Sequence, residues 1–92
     1  MVDRDVALVV DESVSHEAVI RSVRSKAPAE LVDIRLFDVY RGDSLGKGRK
    51  SMAYALTYRS MERTLRDEEV NAMHDAIKGL LRQELSAEIR EG

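Results

Sequence analysis

The 92-residue chain has no cysteine, which excludes disulfide bridges, a thiolate nucleophile and any thiolate zinc site. A reducing compartment suits such a composition, and the cytoplasm is the expected location. No run approaches the roughly 18 to 20 apolar residues of a membrane-spanning helix. The start, Met1-Val2-Asp3-Arg4-Asp5, lacks the basic-then-apolar order of a signal peptide, so no membrane partner is expected. An excess of positive charge is also missing. The formal net charge is −2, whereas general nucleic-acid affinity comes mostly from Lys and Arg neutralising phosphates. DNA is therefore not an expected partner, and any RNA contact must be local.

Catalytic signatures are equally scarce. His16 and His74 are the only histidines, too few for a zinc site of about four ligands, and both are expected to be structural. No P-loop, Gly-x-Ser-x-Gly or dinucleotide fingerprint occurs. Asp11-Glu12 and Glu68-Glu69 are accounted for by a strand end and a helix N-terminus, where negative charge is favourable. No catalytic residue, metal or cofactor is expected in this chain.

What is present is enough apolar material for one core. The sequence is 43% hydrophobic and 35% charged, above the range of disordered chains, and its length fits a single domain. Val6 to Val10 is a short β-branched run that predicts a buried strand. Ser15 can cap a helix with Glu17 in its first turn, and Val19, Ile20, Val23 and Ala27 recur at helical spacing until Pro28 stops it. A second strand is expected from about Leu31 to Tyr40, followed by a turn containing Gly42, Gly46 and Gly48. The third strand, about Lys50 to Arg59, alternates large Met52, Tyr54, Leu56 and Tyr58 with small Ser51, Ala53, Ala55 and Thr57. Asp67 is the expected cap of a long helix with Val70, Met73, Ile77, Leu80 and Leu81 along its buried stripe, and Ala87 and Ile89 suggest a short last strand.

The order βαββαβ predicts an α+β, ferredoxin-like plan: a four-stranded antiparallel sheet, first and third strands central, both helices on one face. The other face stays open. The bulky set of the third strand must pack under the helices, so Ser51, Ala53, Ala55 and Thr57 face outward. On the first strand Val6, Leu8 and Val10 are the better core set, leaving Ala7 and Val9 outward. The second strand is in conflict, because Val32, Ile34 and Leu36 share one parity while Phe37 and Val39 share the other. A bulge or bend near Leu36-Phe37 would turn both sets inward and leave Asp38 and Tyr40 outward.

Parity thus gathers Ala7, Asp38, Tyr40 and Ser51 on the open face. An aromatic ring offers a stacking surface to an unpaired base, a carboxylate can accept two hydrogen bonds from the edge of guanine, and small residues leave room. The adjoining segment Arg41 to Lys50 holds Arg41, Lys47, Arg49 and Lys50 against Asp43 alone. Arg41, Arg49 and Lys50 are the candidate phosphate contacts.

Several segments resemble successive motifs of a known family. They are Arg4-Asp5-Val6-Ala7-Leu8-Val9-Val10-Asp11, Leu36-Phe37-Asp38-Val39-Tyr40-Arg41-Gly42, Gly48-Arg49-Lys50-Ser51-Met52-Ala53-Tyr54, and Arg63-Thr64-Leu65 with Asp67-Glu68-Glu69-Val70-Asn71. Together, from about Arg4 to Arg90, they resemble the C-terminal ferredoxin-fold anticodon-binding domain of the phenylalanyl-tRNA synthetase β chain. The resemblance implies a module that binds the anticodon of phenylalanine tRNA and stacks its first base on a tyrosine, here Tyr40. It implies hydrogen bonds to that base from Asp38, from a backbone group at Ala7 and from Ser51. It further implies other domains of the β chain and the synthetase α chain as partners, with ATP and Mg used elsewhere in the parent enzyme. Arg66 stands where the family often has a threonine and Met61 replaces a common proline. Since these residues hold no catalytic or editing domain, the chain is expected to be one domain excised from a larger synthetase.

Three other readings share the topology. A generic RNA-recognition module would carry aromatics on the open face of the third strand, where Ser51, Ala53 and Ala55 stand. An acylphosphatase-like enzyme would rely on an arginine-bearing loop and an asparagine, whereas the only asparagine, Asn71, begins a helix. A protein-interaction domain would use the same sheet face or its outer strands.

Overall fold

A computed structural model describes residues 1–90. The elements are β1 (Val2–Asp11), α1 (His16–Lys26), β2 (Leu31–Tyr40), a 3-10 turn (Asp43–Leu45), β3 (Arg49–Tyr58), α2 (Asp67–Leu85) and β4 (Glu88–Arg90). The strands form one antiparallel sheet in the order β2-β3-β1-β4. The expected ferredoxin-like plan is present, with β1 and β3 at the centre.

Local chemistry sets the helix ends. Ser15 is extended (φ −85°, ψ 162°) and its Oγ accepts from the Ala18 N–H at 3.1 Å, satisfying one otherwise orphaned donor of α1. Pro28 disfavours helical dihedrals in the residue before it, and Ala27 is extended where α1 ends. At α2 the cap differs from expectation. Arg66 occupies the N-cap position without a side-chain hydrogen bond, and Asp67 is already the first helical residue. Asp67, Glu68 and Glu69 therefore act through their charge near the positive end of the helix dipole. The chain leaves α2 at Ser86 in the left-handed region (φ 53°), a usual way to end a helix.

The core lies between the sheet and the two helices. On β3 every even residue from Lys50 to Tyr58 is buried and every odd one from Arg49 to Thr57 is half-buried. Leu8, Val10, Leu56 and Tyr58 are completely buried, as are Val19, Val23 and Val70 from the helices. Complete burial of a side chain of this kind contributes about 1.5 to 3 kcal/mol. The buried tyrosines bring hydroxyls that need partners. Tyr54 Oη lies 3.0 Å from His16 Nδ1, and Tyr58 Oη lies 2.8 Å from His74 Nδ1. Burial pushes Tyr54 up to about 12, raises Tyr58 further, and lowers His74. Each histidine thus has a structural task, and His74 is buried at 4% exposure.

Strand β2 resolves its conflict by a bulge. Leu36 pairs with Tyr54 and Asp38 with Ala53, so the register shifts where the sequence placed the break. A second irregularity, between Leu31 and Asp33, was not expected. Beyond the bulge Val39 pairs with Met52 and Tyr40 with Ser51.

Candidate nucleic-acid interface

The open face is a grid of cross-strand rows. One row runs Tyr40, Ser51, Val9, Glu88, and the next runs Asp38, Ala53, Ala7, Arg90. All four residues named from parity therefore fall in two adjacent rows. Asp38 and Ala7 flank Ala53 at about 10 Å from each other, two strand spacings, and Ala53 presents only a methyl group between them. Ala7 is half-buried in a central strand, paired on both sides; a carbonyl in a ladder still has a second lone pair to offer a ligand. No aromatic side chain stands on the open face of β3, since Tyr54 and Tyr58 both point into the core.

Tyr40 is 52% exposed, and its ring is seated by Gly42. A β-carbon added at Gly42 would fall 2.7 Å from Tyr40 Cζ and 3.0 Å from Cε2, and closer still to the hydroxyl. Gly42 itself is extended (φ −170°), a conformation open to any residue, so what the glycine supplies is space. Gly42→Ala should displace the Tyr40 ring and, on the RNA-binding reading proposed below, weaken that binding by about 1 kcal/mol. The displaced ring belongs to a half-exposed side chain, so folding stability should change by less than about 0.5 kcal/mol. Paired binding and urea-unfolding measurements check this; wild-type affinity in the variant would show that the ring position does not matter.

The basic loop is weaker than its residue count. Gly46 (φ 94°) and Gly48 (φ 76°) hold left-handed conformations that turn the chain. Arg41 donates from Nε to both carboxylate oxygens of Glu12, at 2.9 and 3.1 Å, and its Nη2 pairs with the same group at 2.7 Å. The Arg41 guanidinium holds the Glu12 carboxyl below its usual range. Arg49 lies on the open face by parity, but its Nη2 donates to the Val9 carbonyl at 3.0 Å, and its Nε is buried without a partner among the described residues. Val9, expected to be outward, shares that face and is fully buried. Lys50, expected as a phosphate contact, is only 8% exposed and has core-facing parity. Lys47 is exposed.

Phe37 departs most from expectation. Its sequence parity places it in the core with Val39, but it is 52% exposed and lines a cleft that joins Ala53 and Ala7 of the open face to Asn71 and Asp75 of α2. Val39 keeps core-facing parity opposite Met52, yet at the sheet edge it is 39% exposed. The signal for Phe37 lay in the bulge itself, where two residues of one strand oppose one of its partner.

Among the described residues, no group of three acidic or histidine side chains could hold a metal. No helix there is long and apolar enough to cross a membrane.

Comparison with known proteins identifies the family. Residues 1–90 match the family model for the ferredoxin-fold anticodon binding domain. The phenylalanine–tRNA ligase β subunit of Clostridium tetani is 46% identical over 89 residues, which is 97% of this chain and 11% of that protein. The same subunit of Streptococcus pneumoniae (strain R6) is 43% identical, and that of Streptococcus mutans 40%, over the same shares. The chain thus spans about a ninth of the length of these relatives. With the family model covering all the described residues and relatives 40 to 46% identical over 97% of its length, the chain belongs to the ferredoxin-fold anticodon-binding domain family.

Proposed function

We propose that this chain is the anticodon-reading module of a phenylalanine–tRNA ligase β subunit and binds the anticodon of phenylalanine tRNA on its open sheet face. The observation that carries this reading is the pair of rows Tyr40–Ser51 and Asp38–Ala53–Ala7. Tyr40 stacks one splayed base, Asp38 accepts from the Watson–Crick edge of a guanine, and Ser51 and the Ala7 backbone complete its polar contacts. The alanines leave space for the ring. Chemistry belongs to other parts of the ligase, where ATP and Mg are used, and the rest of the β chain with the α chain supplies the remaining tRNA contacts. The cytoplasm is its working compartment.

Asp38→Ala in the intact ligase should lower discrimination between guanine and another base at the stacked position by about tenfold, the loss of hydrogen bonds to a charged acceptor. Titration of phenylalanine tRNA and of anticodon-substituted tRNA into both proteins measures it. Equal losses on every anticodon variant would instead identify a packing defect and remove Asp38 from the site.

A further inference from the structure

We propose that Phe37, set onto the open face by the β2 bulge, is a second stacking surface beside Tyr40, so that the sheet takes two consecutive unpaired bases rather than one. The inference rests on the anticodon-binding reading above and extends it to a residue with no role there. Three observations carry it. Phe37 and Tyr40 are both 52% exposed and are the only aromatic side chains exposed to this extent among the described residues. They stand three residues apart on one strand, Tyr40 opposite outward Ser51 and Phe37 in the bulge, where it lines a cleft with outward Ala53 and Ala7. Phe37 lines a cleft of about 690 Å³ that begins on the open face at Ala53 and Ala7 and continues past the edge of β1 to Asn71 and Asp75 of α2, and the two alanines leave the space beside the ring open to a ligand.

The charge pattern limits the platform to two bases. Past Phe37 the next row holds Arg35 opposite Ala55 and Ala55 opposite Asp5, and the row after it holds Asp33, Thr57 and Asp3. These side chains line a shared cleft, three carboxylates against one guanidinium, which repels the phosphates of a strand running further along the sheet. Arg35 is exposed and makes no ion pair among the described residues, so the last cation before that acidic end stands next to Phe37. A single strand can then cross the sheet at the two rows nearest the loop and place adjacent bases on Tyr40 and Phe37.

The test uses the intact ligase and phenylalanine tRNA carrying 2-aminopurine at each anticodon-loop position in turn. Two neighbouring positions should be quenched on binding. Phe37→Ala should restore fluorescence at one and weaken binding about 5- to 150-fold, the loss of one base–aromatic stack, while Tyr40→Ala restores it at the other. Phe37→Leu, which keeps apolar bulk without a ring, should behave as Phe37→Ala, and Phe37→Trp should retain quenching. If both alanine variants relieve quenching at the same position, the two rings hold one base and the proposal fails. If Tyr40→Ala weakens binding while Phe37→Ala and Phe37→Leu match wild type, the proposal fails and the anticodon reading stands. If neither ring matters, the anticodon reading itself falls and the proposal with it.

Discussion

Tyr58→Ala is expected to destabilise the isolated domain by about 3 to 5 kcal/mol, the range for removing a large buried aromatic. A domain of this size has roughly 5 to 15 kcal/mol of total stability, so the substitution removes between about a fifth and all of it. The position is severe for two reasons. Tyr58 is completely buried at the end of a central strand, paired with Val2 on one side and Leu31 on the other. Its hydroxyl also lies 2.8 Å from Nδ1 of His74, itself 4% exposed, and a buried nitrogen left without a partner carries a desolvation cost. Tyr58→Phe separates the two effects: it keeps the ring and removes the hydroxyl, and should cost about 1 to 3 kcal/mol. Urea unfolding of the three proteins reads both values directly. A neutral Tyr58→Phe would show that the tyrosine–histidine contact does not contribute and that His74 is held by packing and its hydrogen bond with the Asp5 backbone.

Alternation made most of this fold legible. Large and small residues on β3 differ so clearly that the core face of the whole sheet follows from that strand, and the faces of β1 and the outward position of Ser51 follow with it. The break in β2 was legible for the same reason, since two apolar sets of opposite parity cannot both face inward on a regular strand. Which residue the bulge would expel was not. Leu36 takes the core-facing place opposite Tyr54, and Val39 takes the one opposite Met52. Only outward-facing Ala53 lies between those two on β3, so Phe37 and Asp38 both stand against it and no third core place exists for the phenylalanine.

Counting charges misjudged the loop because it ignored what the sheet brings to it. The β1–β3 register places Asp11 opposite Arg49, which carries the following Glu12 to the loop, where it binds Arg41. Lys50 shares parity with Met52, so the alternation that fixed the core face already implied its inward position. The cap of α2 was displaced by one residue because an aspartate fits both the N-cap and the first turn, where its charge is favourable in either place.

That loss of free positive charge bears on the most informative binding experiment, Tyr40→Ala in the intact ligase. With Arg41 bound to Glu12 and Lys50 only 8% exposed, the loop has less capacity to neutralise phosphates than its residue count implies, and on the proposed reading stacking carries a larger share of what the domain contributes. The variant should bind phenylalanine tRNA about 1 to 3 kcal/mol more weakly, while the half-exposed ring contributes little to folding. Because stacking releases no counterions, the ratio of wild-type to variant affinity should stay constant between about 50 and 200 mM salt, a range over which phosphate contacts lose orders of magnitude. A ratio that collapses with salt would mean that Tyr40 acts by positioning the loop cations. A folded Tyr40→Ala enzyme with wild-type affinity throughout would remove the ring from the RNA-binding face altogether.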